Sequence, residues 1–171
     1  LKLEAAREER MENREEVKAR FDELREQAKS ERDGEKAERL ERRVDAREKA
    51  LERFDNLAEK LTSLKNRVNE HIQKFEEKGV DTTASFQAIL SAESKIGEIE
   101  AKVAEINFFL AISLDELVED QKIEIRTLAK DIQTLAKETH GFLRDAVRDL
   151  KASVRARIEE VRRERREKRL S

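Results

Sequence analysis

The chain has 171 residues, of which 46% are Asp, Glu, Lys or Arg and only 4% are aromatic, with a formal net charge of −2. Those values are far from a compact globule and match the Ala, Glu, Lys, Leu and Arg bias of long helices and coiled coils, while the near balance of charge leaves no overall field to select nucleic acid or an anionic membrane. With no cysteine there is no disulfide framework, thiolate metal site or thiol nucleophile, and no apolar run approaches the roughly 20 residues of a membrane span.

Residues 1–36 are almost wholly charged. Glu16 with Arg20 and Glu35 with Arg39 fall at i, i+4, each pair worth roughly 0.2–0.5 kcal/mol to an isolated helix. Apolar content is thin, but Val17, Phe21, Leu24 and Ala28 share one edge. The stretch reads as a charged N-terminal helix extension, solvated and either weakly docked or awaiting a partner along that edge. Asp33-Gly34 is its one interruption, either a kink or a hairpin turn. A kink in a continuous helix is the expectation, because good helix formers resume at once and no N-cap with a capping-box partner follows.

The first helix of the body, about 37–78, carries Leu40, Val44, Leu51, Phe54, Ala58, Leu61, Val68, Ile72 and Phe75 in steps that keep one side apolar, with Arg47 and Lys65 filling gaps. A second row, Leu57, Leu64 and His71, widens the stripe enough to face two neighbours. The stop is well signed. Lys78 sits in the last turn, Gly79 is placed as the left-handed C′ residue, Val80 is placed for the accompanying hydrophobic contact, and Asp81 offers an N-cap oxygen to the next helix.

The second helix, about 82–112, shows Ile89, Ala92, Ile96, Ile99, Val103, Ile106 and Leu110 in three-four alternation. Ser113 and Glu116 have capping-box spacing, which predicts a third helix from about 114. That helix carries Ile125, Leu128, Ile132 and Leu135. It then passes through a stutter at Thr139 with Gly141 inside it, and continues with Leu143, Val147, Leu150, Val154, Ile158 and Val161.

Lengths set the expected architecture at 1.5 Å per helical residue. The fold class is all-α, an elongated three-helix antiparallel coiled-coil bundle over 37–145 that resembles a spectrin-type rod. Long helical extensions leave it at both ends, residues 1–36 at one and 146–171 at the other. The seam of Val147, Leu150, Val154, Ile158 and Val161 on the second extension, and that of Val17, Phe21, Leu24 and Ala28 on the first, are the expected assembly or partner interfaces, because such seams do not stay wet.

Candidate chemistry is sparse. His71 and His140, the only histidines, lack HExxH spacing or a converging ligand set and read as half-buried packing residues. Carboxylates are too numerous for any pair to signal acid-base catalysis. Ser and Thr gather at turns as caps, and no Gly-rich phosphate loop occurs, so no catalytic, cofactor or metal residue is expected. Arg162, Arg163, Arg165, Arg166 and Arg169 form the best candidate anion-binding patch. Glu164 and Glu167 interrupt it, and it has no aromatic residue to stack on bases. A solvated helix end, cationic at the negative pole of its dipole, is the favoured reading and nucleic-acid binding the lesser one.

The stretch FDNLAEKLTSLKNRVNEHIQKFEEKGVDTT (54–83) resembles uncharacterised secreted or envelope-associated helical proteins of small-genome candidate-phylum bacteria. In that group a charged N-terminal helix leads into a seam of the form Leu-x-x-Arg-Ile and then Lys-Gly-Val-Asp-Thr. The resemblance covers about residues 40–155. It implies export and a periplasmic or surface location, usually with a signal peptide, and it implies no activity. No secretory signal is recognisable here, but the chain starts at Leu1, so an upstream segment is expected. The functional expectation is a non-enzymatic spacer, stalk or filament subunit that forms a homo-oligomer or head-to-tail strand. The alternative is an adaptor whose charged terminal helices bind a partner protein or nucleic acid.

Overall fold

The computed structural model describes residues 2–111 and 118–170, with side chains from 14–110 and 118–169. Four helices follow one another: α1 (Lys2–Ser30), α2 (Gly34–Glu76), α3 (Thr83–Ala111) and α4 (Glu119–Leu170). Among the described residues there is no strand. Two compact units divide the chain, Leu1–Glu59 with Gly97–Thr134, and Lys60–Ile96 with Leu135–Ser171.

The first unit holds the main correction to the sequence reading. The N-terminal helix is not an extension of α2 but a separate helix folded back along it, so the three expected helices are four. Asp33 is the reason the chain breaks there. Its carbonyl accepts the Ala37 N–H at 2.9 Å, and its Oδ1 accepts from Glu35 N at 3.1 Å and Lys36 N at 3.3 Å. That is a complete N-cap with Gly34 as the first helical residue. The cap works through a single carboxylate and needs no capping-box partner, which is why the missing Glu or Gln gave no warning.

Residues 31–33 turn the chain, and Phe21, Leu24 and Ala28 then become buried, Phe21 to 2% exposure. Burial of a Phe or Leu is worth roughly 1.5–3 kcal/mol each, against about 0–1 kcal/mol for an exposed ion pair. Docking therefore wins over the solvated alternative. Arg14 pairs with Asp55 (3.3 Å) and Glu59 (3.0 Å), while Arg25, further along α1, pairs with Glu48 and with Asp45 (3.4 Å). Partner numbers fall as the α1 numbers rise, so the two helices run antiparallel. The hydrogen bond to Glu48 raises the Arg25 pKa above its ordinary value. Buried Val44, Leu51, Ala58, Ile99, Val103, Ile106, Leu110, Leu128 and Ile132 complete this unit's interior.

Arg47, a gap in the α2 stripe, sends its guanidinium to the Leu110 carbonyl at 3.4 Å. It thereby satisfies one of the unpaired carbonyls in the last turn of α3, where a cation also opposes the helix dipole. Burial lowers the Arg47 pKa from its ordinary value, with the nearby Arg43 acting in the same direction. Lys102 on α3 holds Asp131 on α4 at 2.9 Å.

In the second unit, Val68 and Ile72 of α2, Ile89 and Ala92 of α3, and Leu143, Ala146 and Leu150 of α4 form one core. The α2–α3 turn has the stop the sequence signs, but the N-cap position expected of Asp81 falls to Thr82, whose carbonyl accepts the Phe86 N–H at 2.9 Å. Gly79 has φ +74°, Val80 N bonds Phe75 O at 3.1 Å, and Gly79 N bonds Glu76 O at 2.8 Å, the paired bonds of a Schellman cap with Val80 buried. Asp81 Oδ1 accepts the Thr83 N–H at 3.0 Å, which lowers its pKa below the ordinary 3.8. A depressed carboxylate contributes stability that is full above that ordinary value and is lost as pH falls through the folded one.

The other polar gap, Lys65, bonds Glu93 at 3.3 Å. At the stutter Thr139 is fully buried and its hydroxyl donates to Leu135 O at 2.8 Å, so the polar step costs no unsatisfied group. Gly141 continues the helix, and a Cβ at this position would meet nothing within 4 Å.

The expected helix start near 114 and the expected cap of Ser113 with Glu116 lie outside the described residues. Among those described, α4 begins at Glu119, with the Val118 N–H bonded to Gln121 Oε1 at 3.1 Å and the Val118 carbonyl accepting from Lys122 N. At its other end α4 is one continuous helix to Leu170, and its last buried residue is Leu150.

Two substitutions check this fold by urea unfolding. Phe21→Ala is expected to cost roughly 3–5 kcal/mol, where a solvated extension would lose almost nothing. Gly141→Ala is expected to stabilise by about 0.5–1 kcal/mol, since an open helix interior gains only the lost backbone freedom.

Candidate interaction surface

Within the second unit, α2 and α4 leave a groove of about 580 Å³ between them. Its apolar lining is Leu64 and Val68 from α2 with Leu143 and Val147 from α4, and its rim is His140, Arg144, Arg148, Lys151 and Arg155. The α4 cations follow from helical spacing. Lys137, Arg144, Arg148, Lys151 and Arg155 step by seven, four, three and four, which keeps them on one side of the helix. On α2 the exposed residues Lys60, Arg67, His71 and Lys74 repeat the first of these steps beside Leu64, and Lys78 follows just past the helix end.

Most of these cations have no partner. Arg148 is held by Asp145 at 2.8 Å and Asp149 at 3.1 Å, both on its own helix. Lys78 lies over the Phe75 ring at 5.5 Å. Among the described residues Arg144, Lys151, Arg155, Lys60, Arg67 and Lys74 make no ion pair. The wider charge distribution has the same sense. The second unit carries 18 Lys and Arg against 12 Asp and Glu, a formal +6, whereas the first carries 20 against 28, a formal −8. The chain's small net charge conceals this division.

The residues singled out in the sequence are distributed unevenly over this picture. Of the C-terminal seam, Leu150 is buried, Val147 lines the groove, and Val147 and Val154 pack against the core. Val161 is half-buried and Ile158 is 47% exposed. Only the far part of that seam is thus left open. On the N-terminal seam Phe21, Leu24 and Ala28 are covered by the chain itself and Val17 is half-buried, so that interface is not available to a partner.

Arg162, Arg163, Arg165, Arg166 and Arg169 are all exposed. Arg162, Arg166 and Arg169 prolong the Arg144 row by steps of seven, four and three. His71 and His140 are exposed instead of packed, the former among cations and the latter on the groove wall. Sequence reading missed Arg144, Arg148, Lys151 and Arg155. Their common spacing was the available signal, hidden among many similar charged helix faces.

A second hollow, of about 310 Å³, lies in the first unit, where Val17, Phe21, Leu51 and Asn107 line it together with Arg14 and Asp55. Arg14 and Asp55 bond each other there, which marks a helix interface. Among the described residues no group of three or more His, Asp and Glu side chains is arranged to hold a metal ion, and no helix is long and apolar enough to cross a membrane. The chain matches no family model, no curated protein and no solved structure.

Cations that hold no structural partner are expected to be dispensable for folding. The triple variant Arg144→Gln, Lys151→Gln, Arg155→Gln should unfold in urea within about 0.5 kcal/mol of the parent. A loss above about 1 kcal/mol would assign them to the fold instead.

Proposed function

We propose that this chain is a non-enzymatic structural subunit that assembles with copies of itself through opposite charges carried on its two halves. The observation that supports this reading is the division of charge, formally −8 in one unit and +6 in the other, with Arg144, Lys151 and Arg155 of the α4 row unpaired among the described residues beside an apolar groove. Like-charged surfaces repel and unlike ones steer encounter, so such a chain favours head-to-tail over head-to-head approach. The α4 helix also runs some 20 residues past Leu150, its last buried position, and carries Ile158 and the Arg162 to Arg169 cluster. A secreted or envelope setting, implied by the resemblance at residues 54–83, suits a spacer or filament subunit of this kind.

An adaptor for an anionic partner such as nucleic acid is the second reading, favoured by the exposed cationic row from Arg144 to Arg169. An apolar groove floor gives phosphates nothing, and the chain contains no Trp or Tyr for base stacking.

Sedimentation velocity over a range of chain concentrations separates the outcomes. In about 50 mM salt the mass should rise with concentration above the 20.0 kDa of one chain. At about 500 mM, where the screening length falls to roughly 4 Å, it should return to one chain. A single chain at high micromolar concentration in both salts would overturn the assembly reading.

A further inference from the structure

We infer that the α2–α4 groove of one copy receives the start of α4 from a second copy. This rests on the assembly reading above and names the two surfaces that meet. The groove offers an apolar floor, Leu64, Val68, Leu143 and Val147, beside the unpaired α4 cations Arg144, Lys151 and Arg155. Its occupant must therefore present apolar side chains flanked by carboxylates, in a segment short and regular enough to lie in a cleft between two helices. Phosphate-rich ligands supply the charge without the apolar part.

The start of α4 has the complementary chemistry. Val118 is 61% exposed and Ile123 is 52% exposed, large apolar side chains left in water. Around them stand Glu119, Asp120 and Glu124, all exposed. Glu119 is taken by Lys122 at 3.4 Å, but Asp120 and Glu124 make no ion pair among the described residues. They stand one helical turn apart, the spacing that also separates Arg144 from Arg148 and Lys151 from Arg155. Residues 118–127 span roughly 15 Å and the lining of the groove on α4, residues 140–155, roughly 24 Å, so the segment fits within it. Groove and segment are different surfaces, so each contact joins unlike patches of two copies.

A charge exchange tests the pairing. One variant carries Arg144→Glu, Lys151→Glu and Arg155→Glu, and the other Asp120→Lys and Glu124→Lys. None of the five residues makes an ion pair among those described, and circular dichroism and urea unfolding verify that both variants keep the parent's fold. In low-salt sedimentation each variant alone should associate at least about tenfold more weakly than the parent, because like charges now face each other. An equimolar mixture should regain mass, because each groove again meets an opposite charge.

If both variants associate as the parent does, or if the mixture stays dissociated while the parent assembles, this pairing is wrong and the assembly reading stands with other surfaces. If the parent itself sediments as a single chain at every concentration, the assembly reading fails, and with it this inference.

Discussion

Burial of one edge of α1 is the constraint on which the remaining features depend. Phe21, Leu24 and Ala28 leave water only if the chain reverses at residues 31–33, and the reversal places Arg14 and Arg25 beside Asp55, Glu59, Asp45 and Glu48. The apolar term drives the docking and the arginines fix its register. Exposed ion pairs contribute little to stability, but their geometry discriminates one alignment of two charged helices from its neighbours. Cations of the first unit are thereby engaged at helix contacts, as Lys102 is with Asp131, and carboxylates remain in excess at its surface.

The second unit follows a different course. Its three helices meet through a compact apolar core, from Val68 and Ile72 to Leu150. Charge enters that contact at few points, such as Lys65 with Glu93 and Lys95 with Glu138. Apart from Lys65, the cations that α2 and α4 contribute to this unit make no ion pair with a neighbouring helix among the described residues. Opposite surface charges on one chain thus follow from where packing uses side chains and where it leaves them over. That separation, not the net charge, carries the functional reading.

Helix content and the α2–α3 turn were legible in the sequence because each rests on local chemistry. The apolar repeat of α3 and the Lys78-Gly79-Val80-Asp81 string need no knowledge of distant residues, and Gly79 adopts the left-handed φ its position required. The break at Asp33 was missed because the sequence test looked for a reciprocal box, whereas one Asp carboxylate and carbonyl cap α2 unaided. Arg47 and Lys65 read as gaps in a stripe, yet they are interhelical links whose partners, Leu110 O and Glu93, lie far along the chain. His71 fell on a row of apolar residues but is exposed, because Leu64 sits at the margin of the core and not within it. The groove cations were invisible for a related reason. A charged row on a helix acquires meaning only when its neighbours are known to lack carboxylates.

Intermolecular zero-length cross-linking tests the central claim most directly. Equal amounts of ordinary and nitrogen-15-labelled chain, mixed at low salt and treated with a carbodiimide, should yield mixed-isotope peptides joining Lys151 to Asp120 or Glu124. These should disappear at high salt. Mixed-isotope links that join Lys151 to other carboxylates, or none at all while the chains remain associated, would contradict it.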